Sequence, residues 1–152
     1  MSHLLAPERV RVPLQAGDKE GILLELVELL ATSCGLGSQR DDLYGAVLER
    51  ERVLSTGIGD GVALPHAKFA GLAELAMAAG VSREPLDFGA LDGRPVQLLF
   101  LIVAPETATG AHVRVLARIS RLMRDGALRD RLCSAEDEKA FIDALAAAEH
   151  AT

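Results

Sequence analysis

The sequence predicts an α/β fold, a three-layer-type sandwich in which a mixed parallel and antiparallel sheet is flanked by helices. Segments with helical periodicity alternate with short apolar runs, which favours helices packed on a sheet. One run, residues 96–105, is apolar on both faces, as in a central strand covered on both sides. The 152 residues are 49% hydrophobic and 25% charged, which is typical of one globular domain, here taken as residues 1–152.

Two helices are predicted in the first third of the chain. Residues 17–35 carry an apolar stripe at helical spacing, and Asp18 is a candidate N-cap. Residues 38–54 form the second helix, in which Ser38 and Asp41 are spaced like the start of a capping box.

The middle of the chain predicts a loop followed by strands. Three glycines in five residues make residues 55–61 a loop. Residues 62–66 form a short strand that ends near Pro65, because proline cannot donate to a sheet. Residues 75–82 are a second strand, and residues 84–95 are rich in turn-forming residues.

The last third predicts three helices. Residues 109–126 form an amphipathic helix whose final glycine ends it, and residues 128–135 form a short one. Residues 134–149 form the last helix, with Ser134 as its cap and Asp137 three residues further on.

Composition excludes several classes of function. Aromatic residues make up 3% and there is no Trp, so stacking on single-stranded nucleic acid is not expected. A net charge of −6 argues against binding a phosphate backbone and favours basic or amphipathic protein partners. Apolar runs fall short of the roughly 20 residues that span a bilayer, and no signal peptide is evident. Cys34 and Cys133 form no paired motif, which indicates free thiols in a reducing cytoplasm.

His66 follows Pro65 at the end of an apolar run, so its ring is expected at a rigid end of the sheet. The glycine-rich loop before it can direct backbone N–H groups at an anion, and Ser55 and Thr56 add hydroxyl donors. Taken alone, a histidine beside an apolar segment is as well explained by a structural or exposed ring.

Two further residues have competing interpretations. His112, near the start of its helix, is either the polar edge of a core-facing stripe or a side chain placed where the helix dipole favours an anion. Arg50 belongs to a charge run that is typical of a solvated face, yet an arginine there can also bind a phosphoryl group through two N–H donors.

Together these residues fit a phosphorylated histidine, in which a neutral ring nitrogen attacks an activated phosphoryl group. A metal site formed by His66, His112 and Asp60 is an alternative. The sequence contains no zinc-type histidine pair, nucleotide-binding glycine loop or hydrolase nucleophile motif.

Residues 50–68, RERVLSTGIGDGVALPHAK, resemble the active-site motif of enzyme IIA domains of the bacterial phosphoenolpyruvate-dependent phosphotransferase system. The similarity is to the mannitol/fructose class, which includes the nitrogen-regulatory proteins. It continues through residues 86–105 and 112–125 and covers about residues 18–147. The resemblance implies the family fold, an α/β sandwich with a mixed sheet. The periodicity also predicts an α/β sandwich but does not give the strand directions.

The resemblance implies a role for each matching residue. His66 stands at the phosphoacceptor position, His112 at that of a second histidine that helps to hold the phosphoryl group, and Arg50 at that of an active-site arginine. The positions implied to line the phosphoryl site are Ser55, Thr56 and Asp60, the last where some members carry glutamate. The chain departs from many members at Leu54 and Val113, where altered packing is expected and no loss of chemistry.

The implied mechanism is a relay without ATP, metal or other cofactor. The phosphocarrier HPr, or its nitrogen-branch paralogue, donates a phosphoryl group, which then passes to an enzyme IIB cysteine or signals to regulated target proteins. The nitrogen branch is favoured because the chain ends soon after the domain and residues 55–68 look especially like that subgroup. The alternatives are a sugar-specific (fructose/mannitol) enzyme IIA and a non-catalytic regulatory binding module. A weak homodimer through the apolar docking surface is also considered.

Overall fold

The computed structural model describes residues 2–107 and 110–151. Its strands are β1 (Val10–Leu14), β2 (Gly57–Gly59), β3 (Val62–Ala63), β4 (His66–Lys68), β5 (Ala76–Leu86) and β6 (Val96–Ala104). Its α-helices are α1 (Lys19–Ser33), α2 (Arg40–Val53), α3 (Ala111–Leu122), α4 (Gly126–Cys133) and α5 (Glu138–His150).

The strands form a mixed sheet in the order β1-β5-β6-β3-β2, with β4 also paired to β6. Strand β1 runs parallel to β5, while β5 and β6 are antiparallel and share the longest register in the sheet. Strands β3 and β4 both run parallel to β6, which places His66 opposite Ile102. The predicted mixed sheet is therefore confirmed.

Helices cover the sheet on both faces, which gives the predicted three layers. Helices α1 and α2 pack on one face through a core that includes Leu99 and Leu101 of β6. Helices α3, α4 and α5 pack on the other face around Leu98, Phe100 and Ile102 of the same strand. Alternate side chains of β6 thus enter opposite cores, which confirms the prediction of a central strand buried on both sides.

The helix starts agree only in part with the predicted caps. Asp18 caps α1, since its Oδ1 accepts a hydrogen bond from the backbone N–H of Gly21 at 2.7 Å. The capping box predicted from Ser38 and Asp41 is wrong, because a 3-10 turn (Gly37–Gln39) leads directly into α2 and no side chain caps it.

The C-terminal helices differ from the prediction in their boundaries. Helix α3 ends at Leu122, before the predicted glycine, because Asp125 caps a separate helix α4 through the N–H groups of Ala127 and Leu128. Asp137, and not Ser134, caps α5 through the N–H of Ala140. The predicted first residue of α3, Thr109, lies outside the described residues, as do both terminal residues of the predicted domain.

The predicted loop 55–61 contains a short strand, β2, since its backbone pairs with β3 despite the glycines. Strand β5 extends four residues beyond the predicted end into the segment predicted as turns. Strand β1 was not predicted, because its alternation of apolar residues with Arg11 and Pro13 is a weak strand pattern. Cys34 and Cys133 are free thiols, as expected.

Candidate functional site

A cleft of about 450 Å³ opens where α2, β4 and the first turn of α3 meet. It is lined by His66, His112 and Arg50, the three residues that the sequence singled out for phosphoryl chemistry. The other lining residues are Ala46, Glu49, Val53, Ala67 and Lys68. A mixed set of cations and imidazoles on a partly apolar wall suits a small anionic group.

His66 is the first residue of β4, and the sheet fixes its backbone. The carbonyl oxygen of Pro65 accepts a hydrogen bond from the N–H of Ile102 at 3.0 Å, so β4 is anchored directly before the histidine. The Nδ1 atom of His66 lies 2.9 Å from the carbonyl oxygen of Leu64. Because a carbonyl oxygen only accepts, Nδ1 carries the proton and the neutral ring keeps its lone pair on Nε2.

The surroundings of His66 favour this neutral ring. Partial burial is the main cause that lowers its pKa below the usual 6.5, and the nearby Arg50 and His112 lower it further. The hydrogen bond to Leu64 and the charge of Glu51 act in the opposite direction without reversing the shift. A nucleophilic nitrogen is therefore available at neutral pH.

Arg50 lies in the last turn of α2, on the side of the helix that faces the cleft. Its Nη1 donates a hydrogen bond to the carbonyl oxygen of Leu54 at 2.9 Å. This contact uses part of the guanidinium fork and restrains the side chain, while the remaining N–H groups stay available to an anion.

His112 is the second residue of α3, whose first turn has no side-chain cap. Among the residues that the structure describes, its Nδ1 is buried without a hydrogen-bond partner. A buried polar atom of this kind is costly unless a ligand or a water completes it. The position beside His66 makes a bound oxyanion a suitable partner.

The hydroxyls of Ser55 and Thr56 are used within the loop and do not line the cleft. Ser55 donates to the carbonyl oxygen of Phe88 at 2.9 Å and accepts from the N–H of Gly57 at 3.1 Å. Thr56 is buried and donates to Glu51 from both its backbone N–H and its hydroxyl. These contacts hold the chain that leads from α2 to β3.

Asp60 lies in the turn between β2 and β3, away from the residues that line the cleft. It adopts a left-handed φ of 57°, which Asp tolerates better than most residues. Its N–H donates to Asp92 at 3.0 Å, and its exposed carboxylate lies 3.8 Å from Arg94. These contacts join the turn of Asp60 to the loop between β5 and β6.

Sequence reasoning missed Lys68, Glu49 and Glu51. Lys68 is two residues after His66 in β4. Because residues at this spacing share a face of a strand, its position relative to His66 was the signal that could have identified it. Glu49 lines the cleft beside Arg50. Glu51 is buried, which its place in a highly charged run concealed.

Exposed apolar side chains occur at one lining residue of the cleft, Val53, and at two residues adjacent in sequence to lining residues, Leu54 and Val113. Val53 is 81% exposed, and Leu54 and Val113 are each 56% exposed. Two of these positions are the departures from the common family pattern that the sequence showed.

Within residues 2–107 and 110–151, no three His, Cys, Asp or Glu side chains are grouped so that they could hold a metal ion. The alternative metal site, formed by His66, His112 and Asp60, is therefore not assembled, since Asp60 lies outside the cleft. In the same described ranges, no helix is both long and apolar enough to cross a membrane.

A three-layer α/β sandwich with two histidines and an arginine in one cleft fits the phosphoryl-relay class of proteins. The chain belongs to the family described as "Phosphoenolpyruvate-dependent sugar phosphotransferase system, EIIA 2", which matches residues 3–148.

Relatives in this family carry two kinds of name. The chain is 35% identical over 146 residues to a nitrogen regulatory protein of Bradyrhizobium diazoefficiens, covering 96% of this chain and 94% of that protein. It is 37% identical over 145 residues to the fructose-specific EIIABC component of Bacillus subtilis, covering 95% of this chain. The chain spans only 23% of the length of that larger protein.

The fold agrees with solved structures of the family. The nitrogen regulatory protein IIA-Ntr of Neisseria meningitidis superposes with a TM-score of 0.86 at 31% identity, covering 95% of this chain and 97% of that one. The IIA mannitol protein of Escherichia coli superposes with a TM-score of 0.76 at 19% identity, covering 93% and 98% of the two chains. The second likeness concerns the fold alone.

Proposed function

We propose that His66 accepts a phosphoryl group on Nε2 and that this chain works as a regulatory, nitrogen-branch enzyme IIA in the cytoplasm. The observation that carries the proposal is the hydrogen bond from Nδ1 of His66 to the carbonyl oxygen of Leu64 at 2.9 Å. It leaves the nucleophilic lone pair on Nε2, in a cleft that also contains Arg50 and His112.

The chemical step is a transfer between two nitrogen atoms. The lone pair on Nε2 of His66 attacks the phosphorus of a phosphohistidine on the donor. The nitrogen–phosphorus bond of the donor breaks as the Nε2–phosphorus bond forms, and its electron pair returns to the ring of the donor histidine. That ring is protonated on its other nitrogen and so leaves as a neutral imidazole, while the ring of His66 keeps its Nδ1 proton and takes the positive charge. One phosphoramidate replaces another, so the step consumes no ATP and requires no metal ion.

Arg50 and His112 stabilise the charge of the group in transit. The guanidinium of Arg50 donates to two phosphoryl oxygens, and the N-terminal turn of α3 brings His112 to the same group. Ser55, Thr56 and Asp60 act through the shape of the loop before β3, in keeping with their contacts to Phe88, Glu51 and Asp92.

The exposed apolar residues near the cleft support a role in docking protein partners. The exposed side chains of Val53, Leu54 and Val113 offer an apolar docking surface for a phosphocarrier protein, HPr or its nitrogen-branch paralogue. Phosphorylation adds strong negative charge beside this surface, so the two states present different surfaces to regulated target proteins.

A sugar-specific role is the second candidate. The chain is 36% identical to a fructose-specific EIIA component of Haloferax volcanii, of which it covers 82%. This chain superposes with a TM-score of 0.77 at 20% identity on enzyme IIA mannitol in its complex with phosphorylated enzyme IIB mannitol from Escherichia coli, a likeness of fold alone. In that case an enzyme IIB cysteine would take the phosphoryl group from His66.

The test is phosphoryl transfer from phosphorylated HPr of each branch, followed by intact mass and acid lability. We expect one acid-labile phosphoryl group on the wild type and none on a folded His66→Ala variant. His150→Ala is the matched control, since His150 is exposed at the end of α5 and should leave labelling intact. Absence of transfer from both carriers would favour the binding module. Transfer onward to an enzyme IIB cysteine would favour the sugar branch.

A further inference from the structure

We infer that a buried contact between Glu51 and Thr56, here called the Glu51–Thr56 clamp, positions both Arg50 and His66 for phosphoryl transfer. The inference rests on the proposed function. Neither clamp residue lines the cleft, so both are positioning residues that act through the backbone of the loop between them.

The clamp is tight and shielded from solvent. Glu51 is 7% exposed and Thr56 is 5% exposed. The carboxylate of Glu51 accepts from the N–H of Thr56 at 3.0 and 3.2 Å and from its hydroxyl at 2.6 Å. Charge-assisted bonds of this length to a buried carboxylate fix the chain as it leaves α2.

Lys19 compensates the charge of the clamp. Its Nζ lies 3.0 Å from Oε1 of Glu51 and donates to the carbonyl oxygen of Phe88 at 2.9 Å. The same ammonium group lies 4.4 Å from the centre of the Phe88 ring. A buried carboxylate that is paired with a cation and accepts several hydrogen bonds can hold the neighbouring backbone in one defined position.

The clamp reaches the cleft by two routes. Leu54, which lies between Glu51 and Thr56 in the chain, accepts at its carbonyl oxygen the hydrogen bond of Arg50 at 2.9 Å. On the other route, the carbonyl oxygen of Thr56 accepts from the N–H of Leu64 at 2.9 Å. Leu64 in turn accepts from Nδ1 of His66 at 2.9 Å, so each reactive side chain is one or two hydrogen bonds from the clamp.

Glu51 also acts on His66 through its charge. While burial lowers the pKa of His66, the negative charge of Glu51 raises it. Removing that charge should therefore lower the pKa of His66 further, in addition to loosening both side chains. A residue with a purely structural role elsewhere in the fold would not change this titration.

The experiment compares Glu51→Gln with a matched variant, Glu25→Gln. Glu25 is 8% exposed, accepts from the N–H groups of Gln15 and Ala16, and pairs with Arg11 at 3.1 Å. It is thus a second buried, ion-paired glutamate that holds backbone, but it does not border the cleft. Both variants should lose thermal stability.

We expect Glu51→Gln alone to slow single-turnover transfer from phosphorylated HPr by about tenfold or more. It should also lower the pKa of His66, measured by NMR on the unphosphorylated protein. Wild-type rate and an unmoved His66 titration in the folded Glu51→Gln variant would overturn the inference, and so would an equal loss of rate in Glu25→Gln.

If Glu51→Gln does not fold, a second pair of variants, which leaves the carboxylate of Glu51 in place, tests the same inference. Thr56→Val removes the 2.6 Å hydroxyl contact and keeps the backbone N–H. Thr56→Ser retains the hydroxyl and loses only the methyl group. The inference requires slower transfer in the first and recovery in the second. If wild type accepts no phosphoryl group, the proposed function fails, while the NMR titration still decides whether Glu51 acts on His66.

Discussion

The carbonyl oxygen of Leu64 holds the ring of His66 through Nδ1 at 2.9 Å, two residues before the histidine along the chain. Pro65 lies between them, and its φ is fixed by its ring. Its carbonyl oxygen also accepts a hydrogen bond from the N–H of Ile102, so the backbone holds the carbonyl of Leu64 close to the ring of His66. The short local contact therefore decides which ring nitrogen is free to react.

The first prediction concerns pH. Since the pKa of His66 is lowered in the folded protein, chiefly by burial, the unfolded chain binds a proton before the folded one does as the pH falls. The contribution of His66 to stability is thus complete above the usual pKa of 6.5 and is lost as the pH falls through its folded value. Denaturant unfolding at about pH 8 and about pH 5.5 should show a smaller decline for His66→Ala than for wild type.

An NMR titration of the His66 ring supplies the direct check on this first prediction. A midpoint at or above 6.5 in the folded protein would contradict it.

The second prediction concerns the fork of Arg50. Lysine keeps the positive charge but presents a single ammonium group, so Arg50→Lys should slow transfer about tenfold and Arg50→Ala about a hundredfold. Because Arg50 lowers the pKa of His66, the alanine variant should raise that pKa as well. Single-turnover kinetics and NMR measure the two effects.

Arg52→Ala is the control for the arginine variants. Arg52 is exposed in the same helix and does not line the cleft, so its loss should leave both the rate and the His66 titration unchanged. A rate for Arg50→Lys equal to that of wild type would show that charge alone is needed.

The third prediction separates His112 from His66. In His112→Ala, His66 should still accept the phosphoryl group. Either the phosphorylation of His66 or the onward transfer of the phosphoryl group from His66 should become slower. Thermal stability should stay near that of wild type, since the variant removes a buried Nδ1 that has no partner among the described residues. Complete loss of labelling in a folded variant would mean that His112 is itself essential for acceptance.

The sequence predicted the layers of the fold better than the ends of its elements. Strand β6 was clear because its two buried faces require an unbroken apolar run. The caps at Ser38 and Ser134 were wrong because a 3-10 turn leads directly into α2 and Asp137 caps α5 instead. Strand β1 exists mainly because β5 offers a parallel edge, which no local pattern reveals.

The site shows the same division between local and long-range information. The chemistry of the residue types and the family resemblance grouped Arg50, His66 and His112, and the structure places all three in the same cleft. The burial of the Glu51 side chain was not predicted. Its contacts with Thr56 and Lys19 form only in the folded chain, so no local sequence pattern indicates them. Charge patterns on a helix predict a solvated face, and only the packed structure shows which carboxylate turns inward.

The last prediction concerns Lys68, which lies on the same face of β4 as His66 and lines the same cleft. A phosphoryl group adds about −1.5 to −2 charges at neutral pH, so the ammonium group should favour the phosphorylated state. Because Lys68 is exposed, the effect is that of a solvent-screened pair, about two- to fivefold. Lys68→Gln should shift the transfer equilibrium toward phosphorylated HPr by this factor, and Lys68→Arg should restore it.

Quantifying both phosphorylated proteins at equilibrium, at low and high salt, measures the shift. The difference between wild type and Lys68→Gln should shrink as salt rises, because screening weakens exposed charges. Lys139→Gln is the control, since Lys139 is an exposed lysine paired with Asp143 at 2.8 Å in α5, outside the cleft. If both lysine variants shift the equilibrium equally, the effect comes from net charge, and Lys68 has no specific part in holding the phosphoryl group.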